Sequence, residues 1–369
     1  MSDRPDYDDF LFEAMSPNGN VVALLQAADD SVHFYLHGQS DTGFGMRSVW
    51  VRNLGPAPAG FDPEQLRAGK QPMMPAATCA HPQGAALPDP LQLRVIWFEE
   101  GDAAALLESD EIIAAIPAWS GQGGFHGYAR DCTGESPLAW PLKEATVIYD
   151  RVARADEFWR SWEMGSSQWE TIQDVFLRAY ERVFDKQTRY WAIDGGGEWP
   201  PKAVAMFETD EAVIFLTLGV SIRPMPKVEM AFEDPSPHRR MELGVAIDRR
   251  LVTDATAHDV VAYMSAQSNL PWHLFTWLGP AHTVQCEPCP VGGGGGDEKF
   301  AAMLLLNEPP GAPKISVPAY RGDPVNLLWM TPITAAEWNV AREQGSGDVI
   351  KLLVKRGSVW PHRARENVV

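Results

Sequence analysis

Val213 Ile214 Phe215 Leu216 Thr217 Leu218 Gly219 Val220 Ser221 is a short, nearly unbroken apolar run, rich in β-branched and aromatic residues. Such a run predicts a central strand covered on both faces. It is too short for a free-standing helix, and Gly219 sits badly in a helix interior. Pro224 and Pro226 end it, because proline cannot donate to a sheet ladder. Residues 227–232 form a second apolar stretch, 233–238 a polar turn, and 240–247 a third strand-like run with Glu242 embedded in it. The expectation is three sheet strands in succession.

Toward the N-terminus, Asn18 and Gly19 give a turn signal between strand-prone segments. Runs at 21–25, 32–36 and 46–51 predict a meander of short strands. Residues 55–90 are rich in Pro and Gly and read as a long surface excursion. One short helix is expected in it over 62–69, with Pro63 in its first turn and Gly69 just past its end. Residues 91–98 and 112–116 are further strands. Residues 137–141 and the charged stretch after them read as a boundary, with a connecting helix over 153–163.

Between these lies an unusual loop: Trp119, Ser120, Gly121, Gln122, Gly123, Gly124, Phe125, His126, Gly127, Tyr128, Ala129 and Arg130. Glycine lets backbone come close, and the aromatics supply large contact surfaces. One reading is a binding loop with His126 and Arg130 as polar contacts. The other, of greater weight, is a tight loop packed under the sheet with its aromatics as core. Ser120 lacks the G-x-S-x-G setting of a hydrolase nucleophile. His126 with Cys132 as a Cys–His pair has no support in spacing.

Toward the C-terminus, Ser167 and Glu170 have capping-box spacing. The helix that follows places Trp169, Ile172, Phe176, Ala179, Tyr180 and Val183 on one core-facing side. Residues 190–193 predict a strand ended by Gly195, Gly196 and Gly197, which lack the residues of a phosphate loop. Asp254 can cap a helix through Asn269, with Val260, Val261 and Met264 inward. His282, in a Gly-Pro turn after Trp277, has no carboxylate or second His nearby in sequence. A structural role outweighs that of ligand or base. Cys286 and Cys289 form a C-x-x-C, but no second ligand pair accompanies it. It runs into Pro290 and the glycines 292–296 rather than a helix, so neither zinc nor redox chemistry is favoured. Residues 300–307 and 325–330 are strands. Thr334 and Glu337 start a helix with a second capping box, glycines at 345–347 break it, and it resumes over 348–355. The tail beyond Trp360 is polar and reads as loose.

A chain of 369 residues exceeds one ordinary core. The fold class expected is α+β in two domains: a β-rich N-terminal domain over 1–150 with short helices, a connecting segment over 151–164, a second domain over 165–357 and a polar tail over 358–369. With 45% apolar and 22% charged residues the composition is that of a globular protein. The net charge of −18 argues against nucleic acid as a direct ligand, since phosphate binding needs clustered Lys and Arg. It suits solubility or a basic partner. Residues 1–10 are acidic, so no signal peptide is expected, and no run approaches the roughly 20 apolar residues of a membrane helix. The expected location is the cytoplasm. No cofactor and no metal site is expected.

Several motifs stand in the order found in suppressor-of-fused domains. Thr217, Gly219 and Ser221, with Pro224 and Met225 behind them, resemble that family's T-x-G-x-S segment. Glu242 and Leu243 resemble its next strand. The helix over 172–184 resembles its opening helix. Trp277, Gly279, His282 and Thr283 resemble its W-x-G-x-G-H-T turn, with Ala281 where glycine is usual. Pro332, Ile333, Thr334 and Glu337 are similar to its closing P-I-T-x-x-E. The likeness covers roughly 165–355, and the first 150 residues resemble an extra domain of longer bacterial members. It implies a mixed α/β sandwich, with a mixed central sheet flanked by helices, that binds another protein and catalyses nothing. Animal members sequester transcription factors, and bacterial members are regarded as immunity proteins that neutralise toxins. The resemblance thus implies toxin neutralisation by occlusion, possible for a basic toxin given the acidic balance. Trp119, Phe125, His126, Tyr128, Arg130, Trp277 and His282 are the candidate partner contacts. The rival is an enzyme with its site around Trp119 to Arg130 and His126 as base.

Overall fold

The computed structural model describes residues 10–28, 30–39, 42–68, 70–163, 167–291 and 299–369. Gly69 and the glycines 292–296, both singled out above, lie outside them, as do residues 1–9 and the side chain of Ser167. The chain divides into two compact units. One comprises residues 1–164 with 229–233 and 272–275, and the other comprises the remainder.

The first unit holds two sheets. β1 (Phe10–Met15), β2 (Val21–Ala27), β3 (Ser31–Gly38) and β4 (Met46–Asn53) make an antiparallel meander. After a short helix α1 (Pro63–Arg67) come β5 (Leu93–Trp97), β6 (Ala104–Glu108), β7 (Glu111–Ile116), β8 (Tyr128–Ala129) and β9 (Trp140–Pro141), in that order in a second sheet. Side chains alternate between the two faces of a strand. Val21, Ala23, Leu25, Phe34 and Leu36 of the meander share one apolar cluster with Ala104, Leu106 and Ile113 of the second sheet. Ala105, Leu107, Ile112 and Ala115 point the other way, into a cluster with Ile148, Val152 and Ala155 of helix α2 (Thr146–Glu163). The expected boundary at 137–141 therefore contributes a strand. Residues 151–163 belong to a helix that begins at Thr146 and is packed into this unit rather than linking it. The excursion over 55–90 is also anchored, since Met74 is buried and bonded in both directions to Asn53.

The second unit has helix α3 (Ser167–Phe184), strands β10 (Arg189–Ala192), β11 (Ala203–Glu208), β12 (Ala212–Leu218), the single-turn helix α4 (Val228–Ala231), which runs across the division between the units, and β13 (Arg240–Asp248). Then come α5 (Asp254–Gln267), α6 (Leu270–His273), whose last two residues are counted with the first unit, β14 (Thr283–Gln285), β15 (Phe300–Leu306), β16 (Val325–Thr334), α7 (Ala335–Gln344) and α8 (Ser346–Lys355). The sheet order is β10-β11-β12-β13-β16-β15-β14. β13 and β16 are parallel and the other pairs antiparallel, which makes the sheet mixed. The unit is thus the α+β arrangement anticipated.

Several local expectations are corrected. β12 ends at Leu218, before either proline, because Gly219 turns the chain with φ +93° into a three-residue turn over 220–222. Residues 227–232 are not a strand. They hold α4, entered through Lys227 at φ +60°, and β12 pairs directly with β13. Thr253, not Asp254, caps α5, its hydroxyl accepting from Thr256 N. The tail is not loose: His362 bridges to Ile247, and His362, Arg365 and Val368 are buried. On α3, Ile172, Phe176, Ala179 and Tyr180 are core, whereas Trp169 and Val183 are only half-buried.

Candidate functional site

The T-x-G-x-S and P-I-T-x-x-E residues of the second unit converge on two carboxylates. The first is Glu242, in the middle of β13, whose nine residues are all buried. Such a carboxylate must be bonded or it destabilises the fold. Its Oε1 accepts from Gly219 N (3.0 Å), Ser221 N (3.0 Å) and Ser221 Oγ (2.6 Å), and its Oε2 from Thr217 Oγ1 (2.6 Å). Thr217 Oγ1 in turn accepts from Leu243 N at 2.7 Å. Gly219 is required here. A Cβ would lie 2.4 Å from Pro201 O and 2.9 Å from the Trp169 ring. Burial pushes the Glu242 carboxyl up, against the pull of the Ser221, Thr217 and Gly219 donors.

Tyr180 OH donates to Thr217 O at 2.9 Å, and burial pushes that phenol well above its ordinary value. Lys202, bonded to Asn269 Oδ1, is lowered to about 8, chiefly by burial and then by Arg223. The fully buried Arg240 donates to Asp323 Oδ2 (2.9 Å), Ser221 O (2.9 Å) and Ile222 O (2.7 Å). The cluster is closed, and none of its residues lines either described cavity. Its chemistry is that of a structural clasp between β12 and β13.

The second carboxylate is Glu337. It completes the capping box of α7 with Thr334, accepting from Thr334 N at 2.9 Å. Arg365 grips it with both arms, Nη1 to Oε1 at 2.5 Å and Nη2 to Oε2 at 2.7 Å. Arg365 also donates to Pro332 O at 3.0 Å, and Val368 N donates to Glu337 Oε1 at 2.9 Å. Burial would raise this carboxyl, but Arg365 and the backbone donors outweigh it and hold it below its ordinary value. Pro332 itself sits within β16, beyond Trp329, the last residue of that strand paired with β13.

The Trp277 turn also assembles. The Trp277 and His282 rings lie 4.4 Å apart, and His282 N donates to Gly279 O at 3.2 Å. A Cβ on Gly279 would lie 2.6 Å from the Trp277 ring. Burial lowers the His282 imidazole. Ala281 holds φ +69°, a conformation that costs a residue with a Cβ roughly 1 kcal/mol. Ala281→Gly is accordingly expected to raise stability by roughly 0.5–1 kcal/mol in urea unfolding. A loss would show that the turn gains from alanine.

In the first unit, Phe125 is buried between Tyr128 (5.0 Å) and Trp140 (4.9 Å), while Trp119 and Tyr128 pack on the α2 cluster. His126 Nδ1 meets Ser48 O at 3.2 Å, and Ser120 Oγ donates to His126 O at 2.5 Å. Arg130 is tied to Asp131 (3.0 Å) and Glu111 (2.8 Å). The Cys132 thiol donates to Gly134 O and Ala139 O, so the bonds of His126 and Cys132 are to backbone rather than to each other. Cys286 and Cys289 lie against each other and Tyr263. Among the described residues no group of three or more His, Cys, Asp or Glu could hold a metal. No helix there is long and apolar enough to cross a membrane.

One feature was invisible in the sequence. β15 pairs with β16 only as far as Leu306 opposite Trp329. Residues 325–328 of β16 therefore have β13 on one side and, among the described residues, no strand on the other. The chain leaving β15 turns away through Pro309, Pro310 and Pro313. It encloses, with Val325, Asn326, Leu327 and Trp329, a cavity of about 400 Å³.

Comparison with known proteins bears on the same half of the chain. Residues 198–365 match the family model of the Suppressor of fused protein (SUFU). Two solved structures are similar at low identity. The Sufu-Fu complex crystal structure is 11% identical over 54% of this chain and 88% of that one, with a TM-score of 0.38. The crystal structure of Drosophila Suppressor of Fused is 9% identical over 53% of this chain and 50% of that one, with a TM-score of 0.34. No curated protein matches the sequence. The T-x-G-x-S and P-I-T-x-x-E residues that meet at Glu242 and Glu337 all lie within the matched stretch, so residues 198–365 are the part of the chain that is similar to the suppressor-of-fused family.

Proposed function

We propose that the chain acts by gripping another protein and turns over no substrate. The half-paired edge of β16 is the place where it does so. The observation that carries this reading is that Val325, Asn326 and Leu327, unpaired on the side away from β13, line a walled groove. An extended segment laid beside them gains main-chain hydrogen bonds, with side-chain pockets on alternate residues. The lining is mixed, with Glu308 and Lys314 beside Ile315 and Val317. That suits a polar peptide carrying one or two apolar anchors. The net charge of −18 supports a basic partner drawn in electrostatically. The finer reading is an immunity protein of the cytoplasm that neutralises a toxin by covering its working surface.

Co-purification from the native host, followed by mass spectrometry, tests the reading. Ala312→Trp, which fills the groove from its rim, is expected to weaken partner retention by at least tenfold while leaving the thermal midpoint within about 2 °C. Undiminished retention would move the interface elsewhere. Turnover of a metabolite by the purified chain would end the non-catalytic reading.

A further inference from the structure

In the first unit two cysteines far apart in sequence stand side by side. Cys79 follows the three-residue turn over 76–78 and forms an antiparallel bridge with Cys132. Ala80 N donates to Asp131 O at 2.8 Å, and Thr133 N donates to Thr78 O at 2.9 Å. Both bonds join neighbours of the cysteines, so the cysteines themselves are a non-hydrogen-bonded pair. That is the narrow site of an antiparallel ladder, with Cα atoms about 4.5 Å apart and both side chains on one face. A disulfide needs Cα atoms about 4.4–6.8 Å apart, so the backbone already has the required spacing.

Both thiols are free and buried. Their present bonds are weak. Cys132 Sγ donates to Gly134 O at 3.0 Å and to Ala139 O at 3.3 Å, and Asn53 Nδ2 donates to Cys79 Sγ at 3.8 Å. A sulfur–sulfur bond would replace these weak contacts. We propose that Cys79 and Cys132 are a latent disulfide, closed by exchange with a small-molecule disulfide of the oxidised-glutathione type.

Cys79 is the entry point, because residues 80–83 beside it are exposed whereas Cys132 is covered. The Cys79 thiolate attacks one sulfur of the small disulfide. A mixed disulfide forms, and one small thiolate leaves and takes up the proton that Cys79 gave up. The Cys132 thiolate then attacks the Cys79 sulfur, which closes the protein disulfide and releases the second small thiol with the proton from Cys132. Two protein thiols are oxidised and one small disulfide is reduced to two thiols. Burial pushes both protein thiols up, Cys132 to about 11, so the thiolate is scarce near neutral pH and closure is slow. The bond would tie the long excursion between β4 and β5 to the segment following β8, closing a large loop of the unfolded chain.

The test is overnight incubation of the native full chain with oxidised glutathione at mildly alkaline pH, then alkylation and non-reducing peptide mapping. The expected result is a cross-link between the peptides of Cys79 and Cys132 with a loss of about 2 Da. The thermal midpoint should rise by roughly 5–10 °C, reversibly with dithiothreitol. Cys79→Ser and Cys132→Ala should each abolish this link and the shift, while any bond between Cys286 and Cys289 persists. The proposal is overturned if both thiols alkylate fully after unfolding of the oxidised protein. It is equally overturned if a glutathione adduct on Cys79 never resolves onto Cys132, or if the only bond maps to Cys286 and Cys289. The wild-type map decides the matter even if a variant folds poorly.

Discussion

Glu242→Ala is expected to cost at least about 4 kcal/mol and to leave much of the protein insoluble. The substitution strands the backbone donors of Gly219 and Ser221 and both hydroxyls in a site closed to water. Each buried donor left unmet costs about 1–3 kcal/mol. Glu242→Gln is expected to cost no more than about 1–2 kcal/mol. Its carbonyl oxygen can keep the three bonds now made to Oε1. Its amide can donate to Thr217 Oγ1, whose proton then turns to Leu243 O, already 3.3 Å away. Chemical denaturation of the two variants separates acceptance from charge. If Gln proves as damaging as Ala, negative charge rather than hydrogen-bond acceptance holds the clasp.

The pH dependence of this pair carries a further signature. The folded carboxyl is raised above its unfolded value, so its contribution is fully present below the unfolded value and is lost as pH rises through the folded one. The Gln variant lacks that decline.

Arg365→Ala is the second large effect, with an expected loss of about 3–5 kcal/mol. It leaves the buried Glu337 charge with backbone donors alone. Arg365→Lys keeps the charge but cannot grip both oxygens and Pro332 O together, and is expected to cost about 1–2 kcal/mol. The sign of the pH effect is opposite to that at Glu242. The folded Glu337 carboxyl is lowered, so its stabilisation is present above the unfolded value and lost as pH falls through the folded one. Acid should therefore narrow the gap between wild type and Arg365→Ala. Adding Glu337→Gln to Arg365→Ala should recover part of the loss, because no buried charge is then left without its partner. A gap unchanged by acid, or no recovery in the double variant, would show that Arg365 acts through packing alone.

How much of this was legible in the sequence varies by element for physical reasons. β12 announced itself because a β-branched run long enough to span a sheet has few alternatives. The α7 capping box was equally readable, since Thr334 and Glu337 satisfy each other locally. β6 gave no signal because its Ala and Leu residues are helix formers. Burial on both faces between two clusters makes it a strand. Val228, Met230 and Phe232 alternate as a strand would, but in so short a window they fit one helical turn as well, and long-range pairing of β12 with β13 decides. The motif residues could be named from the family resemblance, yet not that they converge on Glu242. Arg365 lay unremarked in a tail that read as polar and loose, because its partner Glu337 lies in another element. The open edge of β16 could not be read at all, since it is the shortness of β15 that creates it.

The His362 bridge to Ile247 gives translation a direction that matters. As the chain leaves the ribosome, both sheets of the first unit can pair while β16 is still unmade. β13, by contrast, must wait for a parallel neighbour made some eighty residues later, and then for His362 beyond that. Glu337 emerges charged and stays without its guanidinium until Arg365 follows. Nascent chains stalled before residue 362 should therefore carry a finished first unit and a second one still open to chaperones and proteases.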